Sequence, residues 1–187
     1  MTKKMIFTES VSYIQRKIKD ILDNVSQDEI EKVKKLFFKS NRIFVYGAGR
    51  SGLVAKAFAI RLVHLGFQTF VIGETITAPV QKGDLVIIVS GSGETMPAVM
   101  TAEIAHNLGA HVVSITAKKK SEIAKFANVT LFISAMCNEV ERKKFAPLGT
   151  LFEASVWILL DGLIADLLDG KNESEEIMRS RHATLEQ

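Results

Sequence analysis

The apolar positions of this chain change their period near residue 41. Before it, Val11, Ile14, Ile18, Ile21, Leu22 and Val25 recur at intervals that put them on one stripe of a helix. Ser26 and Glu29 then form a capping-box pattern, which opens a second helix through Val33, Leu36 and Phe37. Beyond residue 41 the runs become short and nearly continuous: "RIFVYG", "FQTFVIG", "DLVIIVSG", "HVVSIT" and "VTLFIS". Such Val/Ile/Phe-rich runs are expected of strands covered on both faces. Amphipathic stretches at 53–65, 95–108 and 119–127 separate several of them. Strands alternating with helices predict a parallel α/β sheet with right-handed crossovers. The pattern divides into an N-terminal helical arm (1–40), an α/β core (41–170) and a C-terminal tail (171–187), read together as one domain.

The segment 149–168, "GTLFEASVWILLDGLIADLL", is apolar on nearly every face. It carries Glu153, Asp161 and Asp166, and one acid near the centre of a span costs about 2.5–3.5 kcal/mol. A long helix buried in a core or a subunit interface is therefore expected rather than a membrane span. The chain has 187 residues, 47% hydrophobic and 24% charged, with a net charge of +3. That balance is ordinary for a soluble protein and too weakly basic to suggest nucleic acid. The single cysteine, Cys137, rules out an intrachain disulfide, and the charged N-terminus lacks a signal-peptide layout; both suit the cytoplasm.

In a parallel sheet the chemistry sits in the loops after the strands. The first is "GAGRSG", residues 47–52, holding Gly49, Arg50 and Ser51. Its glycines allow a tight turn into a helix whose free N–H groups suit a phosphate. The spacing is also that of a dinucleotide-binding turn, and Glu74 lies about where a ribose-binding acid would be wanted. Arg50, however, would crowd a tightly wrapped pyrophosphate. The loop after the third run is "SGSGET", residues 90–95. Ser90, Ser92 and Thr95, spaced by Gly91 and Gly93, form a compact set of hydroxyls entering a helix, with Thr95 as N-cap and Pro97 in the first turn. One such hydroxyl would simply cap; three with two glycines point to a site for a single phosphate group.

These two loops resemble those of the sugar isomerase (SIS) domain. "YGAGRSGLVAKAFAIRLVHLGFQTFVIGET", "KGDLVIIVSGSGET", "APLGTLFEASVWILLDGLIADL" and "RSRHATLE" are further similar to the 6-phospho-3-hexuloisomerases of that family. The resemblance implies a three-layer α/β/α, flavodoxin-like fold around a five-stranded parallel sheet. It implies no metal or organic cofactor, and a homo-oligomer, a tetramer in this family, with sites between subunits. It implies a phosphorylated hexulose as ligand and an enediolate route between D-arabino-hex-3-ulose 6-phosphate and D-fructose 6-phosphate, a step of the ribulose monophosphate pathway.

On spacing alone, Glu153 is an acid complementing a helix dipole and His182 a solvated tail residue. The resemblance implies instead that Glu153 is the catalytic base and that His182 shuttles protons from a tail reaching a neighbouring subunit. Arg50, with Ser51 beside it, is expected to orient the sugar or steady the enediolate. Glu74 and Thr75 are expected near sugar hydroxyls or a neighbouring chain. His64 is expected to satisfy helix-end carbonyls, and His106 and His111 to face solvent. No metal-ligand spacing is present among the four histidines. Two alternatives remain open at this point: an isomerase for arabinose 5-phosphate or a heptose phosphate, and a sugar-phosphate-binding SIS protein without turnover.

Overall fold

The computed structural model describes residues 5–134 and 136–182. The first stripe becomes α1 (Ile6–Leu22), which buries Tyr13, Ile18 and Ile21. Val11, expected on that stripe, is exposed, as are Ile6 and Phe7, because the first two turns of α1 are left largely uncovered. In α2 (Gln27–Lys39) half of the capping box forms: Ser26 Oγ accepts the Glu29 N–H at 3.3 Å. The Glu29 carboxylate turns outward to Lys32 Nζ, 2.7 Å away.

Five strands follow, β1 (Ile43–Gly47), β2 (Thr69–Val71), β3 (Leu85–Val89), β4 (His111–Thr116) and β5 (Val129–Phe132). They pair in parallel in the order β2-β1-β3-β4-β5. The period of two along β3 explains why it reads as an unbroken apolar run. Leu85, Ile87 and Val89 join the core beneath α1, α2, α3 (Gly49–His64) and α7 (Thr150–Gly170). Val86 and Ile88 enter a second core beneath α4 (Met96–Asn107) and α5 (Glu122–Lys125). The architecture is thus the expected three-layer α/β/α sheet.

Two helices differ from the pattern. Only residues 122–125 of the stretch 119–127 are helical, because the backbone at its start is tied to the second loop: the N–H groups of Ala117 and Ile123 donate to the carbonyls of Gly91 and Gly93. Conversely the polar stretch "CNEVERKKFAP" contains α6 (Glu139–Phe145). Asn138 Oδ1 caps it by accepting the N–H groups of Val140 and Glu141. None of its residues is buried, so it has no apolar stripe to show. The chain ends, within the described residues, in α8 (Glu175–Ser180). Among those residues no helix is long and apolar enough to cross a membrane.

At the end of the sheet where β1 and β3 begin, Arg42 grips Asp84 through two bonds, Nε to Oδ1 at 3.1 Å and Nη2 to Oδ2 at 2.7 Å. The Gln81 N–H also donates to Asp84 Oδ2. Asp84 is nearly fully buried. Asp84→Ala is therefore expected to leave a half-buried guanidinium unpaired and to cost about 3 kcal/mol in urea unfolding. A loss below about 1 kcal/mol would mean that water replaces the carboxylate at no cost.

Candidate active site

Chain direction across the sheet reverses between β1 and β3, and the crevice beyond their carboxyl ends is the expected ligand position. The register pairs Gly47 with Val89, so the two loops leave from adjacent strand ends, about 4.8 Å apart.

In the first loop, Gly47 and Gly52 make the turn tight. A Cβ on Gly47 would lie 2.8 Å from the Gly52 nitrogen, and one on Gly52 would press on the Gly47 carbonyl. Gly49 takes φ +57° and starts α3, with Arg50 and Ser51 in its first turn. The N-cap is Ala48, which has no side-chain acceptor. The first N–H groups of α3 are thus left uncapped at a helix N-terminus.

The second loop, Ser90–Thr95, is braced from behind by β4. The Ser90 N–H donates to Ile115 O, and the Gly93 N–H donates to Ser90 Oγ at 3.1 Å. The hydroxyls of Ser90 and Ser92 lie 3.5 and 3.4 Å from Thr95 Oγ1. Thr95 is the N-cap of α4 by position, and Pro97 sits in the first turn. Its hydroxyl makes no cap bond and points to the two serines instead. Gly93 holds φ +65° with the Ser121 side chain against it, so a larger residue would be both strained and obstructed. Among the described residues, the N–H groups of Gly91, Ser92, Thr95 and Met96 have no protein acceptor. Three clustered hydroxyls and several unused N–H groups can surround one tetrahedral anion.

The helix α7 brings the carboxylate. Phe152 packs over Gly91, where a Cβ would lie 3.1 Å from the ring, and this fixes the first turn of α7 beside the second loop. Glu153, the next residue, accepts a hydrogen bond from Arg50 Nε in the first loop. Its side chain is 13% exposed, whereas that of Arg50 is 69% exposed. The carboxylate also lies over Gly149 at the N-terminus of its own helix, where a Cβ would come within 3.0 Å of it. The carboxylate thus sits between a guanidinium and the N-terminus of its own helix, with one face toward the crevice. Arg50, Leu53, Thr150, Glu153, Trp157 and Ile158 line an open cavity of about 450 Å³ between α3 and α7.

Of the residues singled out from sequence, Gly49, Arg50, Ser51, Ser90, Gly91, Ser92, Gly93, Thr95 and Glu153 gather at this one end of the sheet. His182 does not. Its ring stacks on His64, 4.9 Å between centroids, at the far end of α3. The rise of a helix puts that end about 20 Å from Arg50. His64 is buried, and burial, with the His182 ring and Arg61 adding, holds its imidazole below the ordinary range. The last carbonyls of α3 are taken by other side chains than the expected one: Arg181 Nη1 donates to His64 O and Lys171 Nζ to Leu65 O. Glu74 is exposed and pairs with Lys56. Of the other two histidines, His106 is exposed and close to Phe126 O, and His111 is partly covered. Among the described residues no group of three His, Cys, Asp or Glu is placed to hold a metal ion.

Residues 36–151 match the sequence family described as "SIS domain". The chain belongs to the SIS-domain family. It is 37% identical to the 3-hexulose-6-phosphate isomerase of Bacillus subtilis, over 96% of this chain and 98% of that one. The isomerase of the same description from Methylomonas aminofaciens is also 37% identical, over 91% and 94%. A crystal structure from Methanococcus jannaschii, for which a 3-hexulose-6-phosphate isomerase function is inferred, superposes with a TM-score of 0.85. Its identity is 30%, covering 95% of this chain and 99% of that one. This SIS domain thus falls in the branch of the family that holds those isomerases. Sequence reasoning missed Phe152 as the residue that seats Glu153, and missed Leu53 and Trp157 as walls. Trp157 was open to notice as a large aromatic on an already all-apolar helix.

Proposed function

We propose that the protein interconverts D-arabino-hex-3-ulose 6-phosphate and D-fructose 6-phosphate through an enediolate, without metal or organic cofactor. The observation that carries this is the pairing of Glu153 with Arg50 beside a set of uncommitted hydroxyls and N–H groups. A carboxylate placed next to a phosphate-sized anion site is what a carbonyl shift in a phosphosugar needs.

The ester group binds Ser90, Ser92, Thr95 and the N–H groups around them. A 3-hexulose phosphorylated on O6 cannot close a five-membered ring, so it arrives open. Glu153 takes the proton from C2, and the C2–H electrons form the enediolate double bond as charge moves to the C3 oxygen. The Arg50 guanidinium and the uncapped N–H groups of the first loop lie on that side and stabilise the oxyanion. Glu153 then returns the proton to C3. The hydroxyl proton passes from O2 to O3, which is the step assigned to His182.

His182 cannot take that part within its own chain, being at the opposite end of α3. A second copy would bring it. The outer face of α3 and α7 carries Leu53, Ile60, Trp157 and Ile158, each about half exposed or more. Antiparallel pairing across that face would lay the His182 end of one chain on the Arg50–Glu153 end of the other. A separate apolar stripe, Met96, Met100, Ile104 and Leu108, runs along α4 on the other layer. Two distinct two-fold faces generate a tetramer with dihedral symmetry, and we assign that assembly, in the cytoplasm, to this protein. The corresponding place in metabolism is the ribulose monophosphate pathway.

The test is a coupled assay: ribulose 5-phosphate, formaldehyde and a hexulose phosphate synthase are supplied, and fructose 6-phosphate is measured. Production dependent on this protein supports the reading. Turnover of arabinose 5-phosphate with no fructose 6-phosphate formed would assign the site to a different phosphosugar.

A further inference from the structure

The phosphate site described above is built from neutral donors. Ser90, Ser92, Thr95 and main-chain N–H groups carry no formal charge, and the nearby Arg50 is engaged by Glu153. The only ionisable side chain in the loop itself is an acid, Glu94. A dianionic ester brought there meets only the partial positive charge of the α4 N-terminus, so any full counter-charge comes from outside the loop.

The segment joining β4 to α5, "TAKKKS", supplies the neighbouring cations. Together with the start of α5 it is stitched to the phosphate loop at three points. Thr116 Oγ1 and the Ala117 N–H both reach Gly91 O, at 3.4 and 3.0 Å, and the Ile123 N–H donates to Gly93 O at 3.1 Å. Ser121 lies against Gly93 from the same side. Lys118, Lys119 and Lys120 are all exposed; Lys118 stands at this seam, and Lys119 lines a groove toward α2 and β5. Lys118 Nζ stands 3.8 Å from Glu94 Oε1, with both side chains well exposed. A contact of that length between solvated groups is weak and readily exchanged.

We infer that Lys118 is a phosphate-specificity residue of this site. It balances Glu94 while the loop is free and turns to the ester when substrate binds, with Lys119 and Lys120 adding to the field that draws the dianion in. Glu94 has a matching part. Its carboxylate holds Lys118 at the rim while the site is empty, at a cost to anion affinity that its removal would relieve. The inference rests on the isomerase reading only for the identity of the ester; the counter-charge itself can be tested with inorganic phosphate.

The experiment measures inorganic phosphate binding by calorimetry, and KM and kcat for the hexulose phosphate, in the parent protein, Lys118→Ala, Lys118→Arg and Glu94→Gln. At low salt, Lys118→Ala should weaken phosphate binding about five- to tenfold and raise KM by a similar factor. The loss should shrink to under about twofold at 0.5 M NaCl, where the screening length is only a few ångströms. Lys118→Arg should restore binding, and Glu94→Gln should tighten it. A purely structural lysine would give a salt-independent loss that arginine does not repair. Unchanged phosphate affinity in Lys118→Ala at low salt overturns the inference, whether or not the protein isomerises sugars. A Lys118-dependent phosphate affinity in a protein that makes no fructose 6-phosphate would keep the inference and remove the isomerase reading.

Discussion

Glu153→Gln is expected to lower kcat by at least about 100-fold while leaving inorganic phosphate affinity within about twofold. Glutamine has the shape of glutamate and still offers an oxygen to Arg50 Nε, so the contact between α7 and the first loop survives. What disappears is the basic oxygen that removes the C2 proton. The phosphate site lies on a separate loop whose hydroxyls and N–H groups do not touch residue 153, which is why binding should persist. The size of the drop follows from the role. A residue that only complements the dipole of α7 would affect stability by about 0.3–1 kcal/mol and turnover hardly at all. Stopped-flow or steady-state rates together with calorimetry on the same preparation separate the two. Turnover equal to the parent's would remove Glu153 from the mechanism and leave Arg50 and the loop N–H groups as binding elements only.

Legibility of the fold and of the site differed by cause. The central strands were readable because burial on both faces turns them into unbroken apolar runs, as along Leu85–Val89, while the edge strands β2 and β5 are only partly covered. The loops at their carboxyl ends were readable for a related reason: a parallel sheet fixes which end carries the ligand, and glycine with hydroxyl at that end has few other uses. Helix α6 was invisible because its order comes from the Asn138 cap and from ion pairs such as Arg142–Glu139, with no buried stripe. The meeting of Arg50 with Glu153 spans 103 positions and is set by how α7 packs over the sheet, with Phe152 on Gly91. No spacing rule encodes such a contact. Lys118 was hidden differently: three lysines in a row look like a solvated surface, and only the seam between two loops gives one of them an address. Thr95 shows the same limit at the level of one atom. Its position as N-cap followed from sequence, but the direction of its hydroxyl followed from the neighbouring serines.

The second large effect is expected from mixing two inactive variants. Glu153→Gln removes the base, and His182→Ala removes the imidazole that stacks on His64 about 20 Å away in the same chain. If each site takes Glu153 from one chain and His182 from its partner, a hybrid pair holds one site with both defects and one with neither. Random reassortment makes half of the pairs hybrids, so activity should recover to about one quarter of the parent's. If both residues served one chain, every site in the mixture would keep a defect and no recovery would appear. Reassortment needs subunit exchange, which co-expression of the two variants with different affinity tags secures. The result also bears on the face used. Trp157→Glu would place a charge on the outer surface of α7, half exposed in the single chain and buried in the proposed pair. In the mixture it should abolish recovery and shift the sedimentation coefficient to a smaller species together. The apolar stripe on α4 provides the contrast, since Met100→Glu should reduce a tetramer to pairs that still hold complete sites. Loss of activity with Met100→Glu but not with Trp157→Glu would move the shared site to the α4 face and displace His182 from the mechanism.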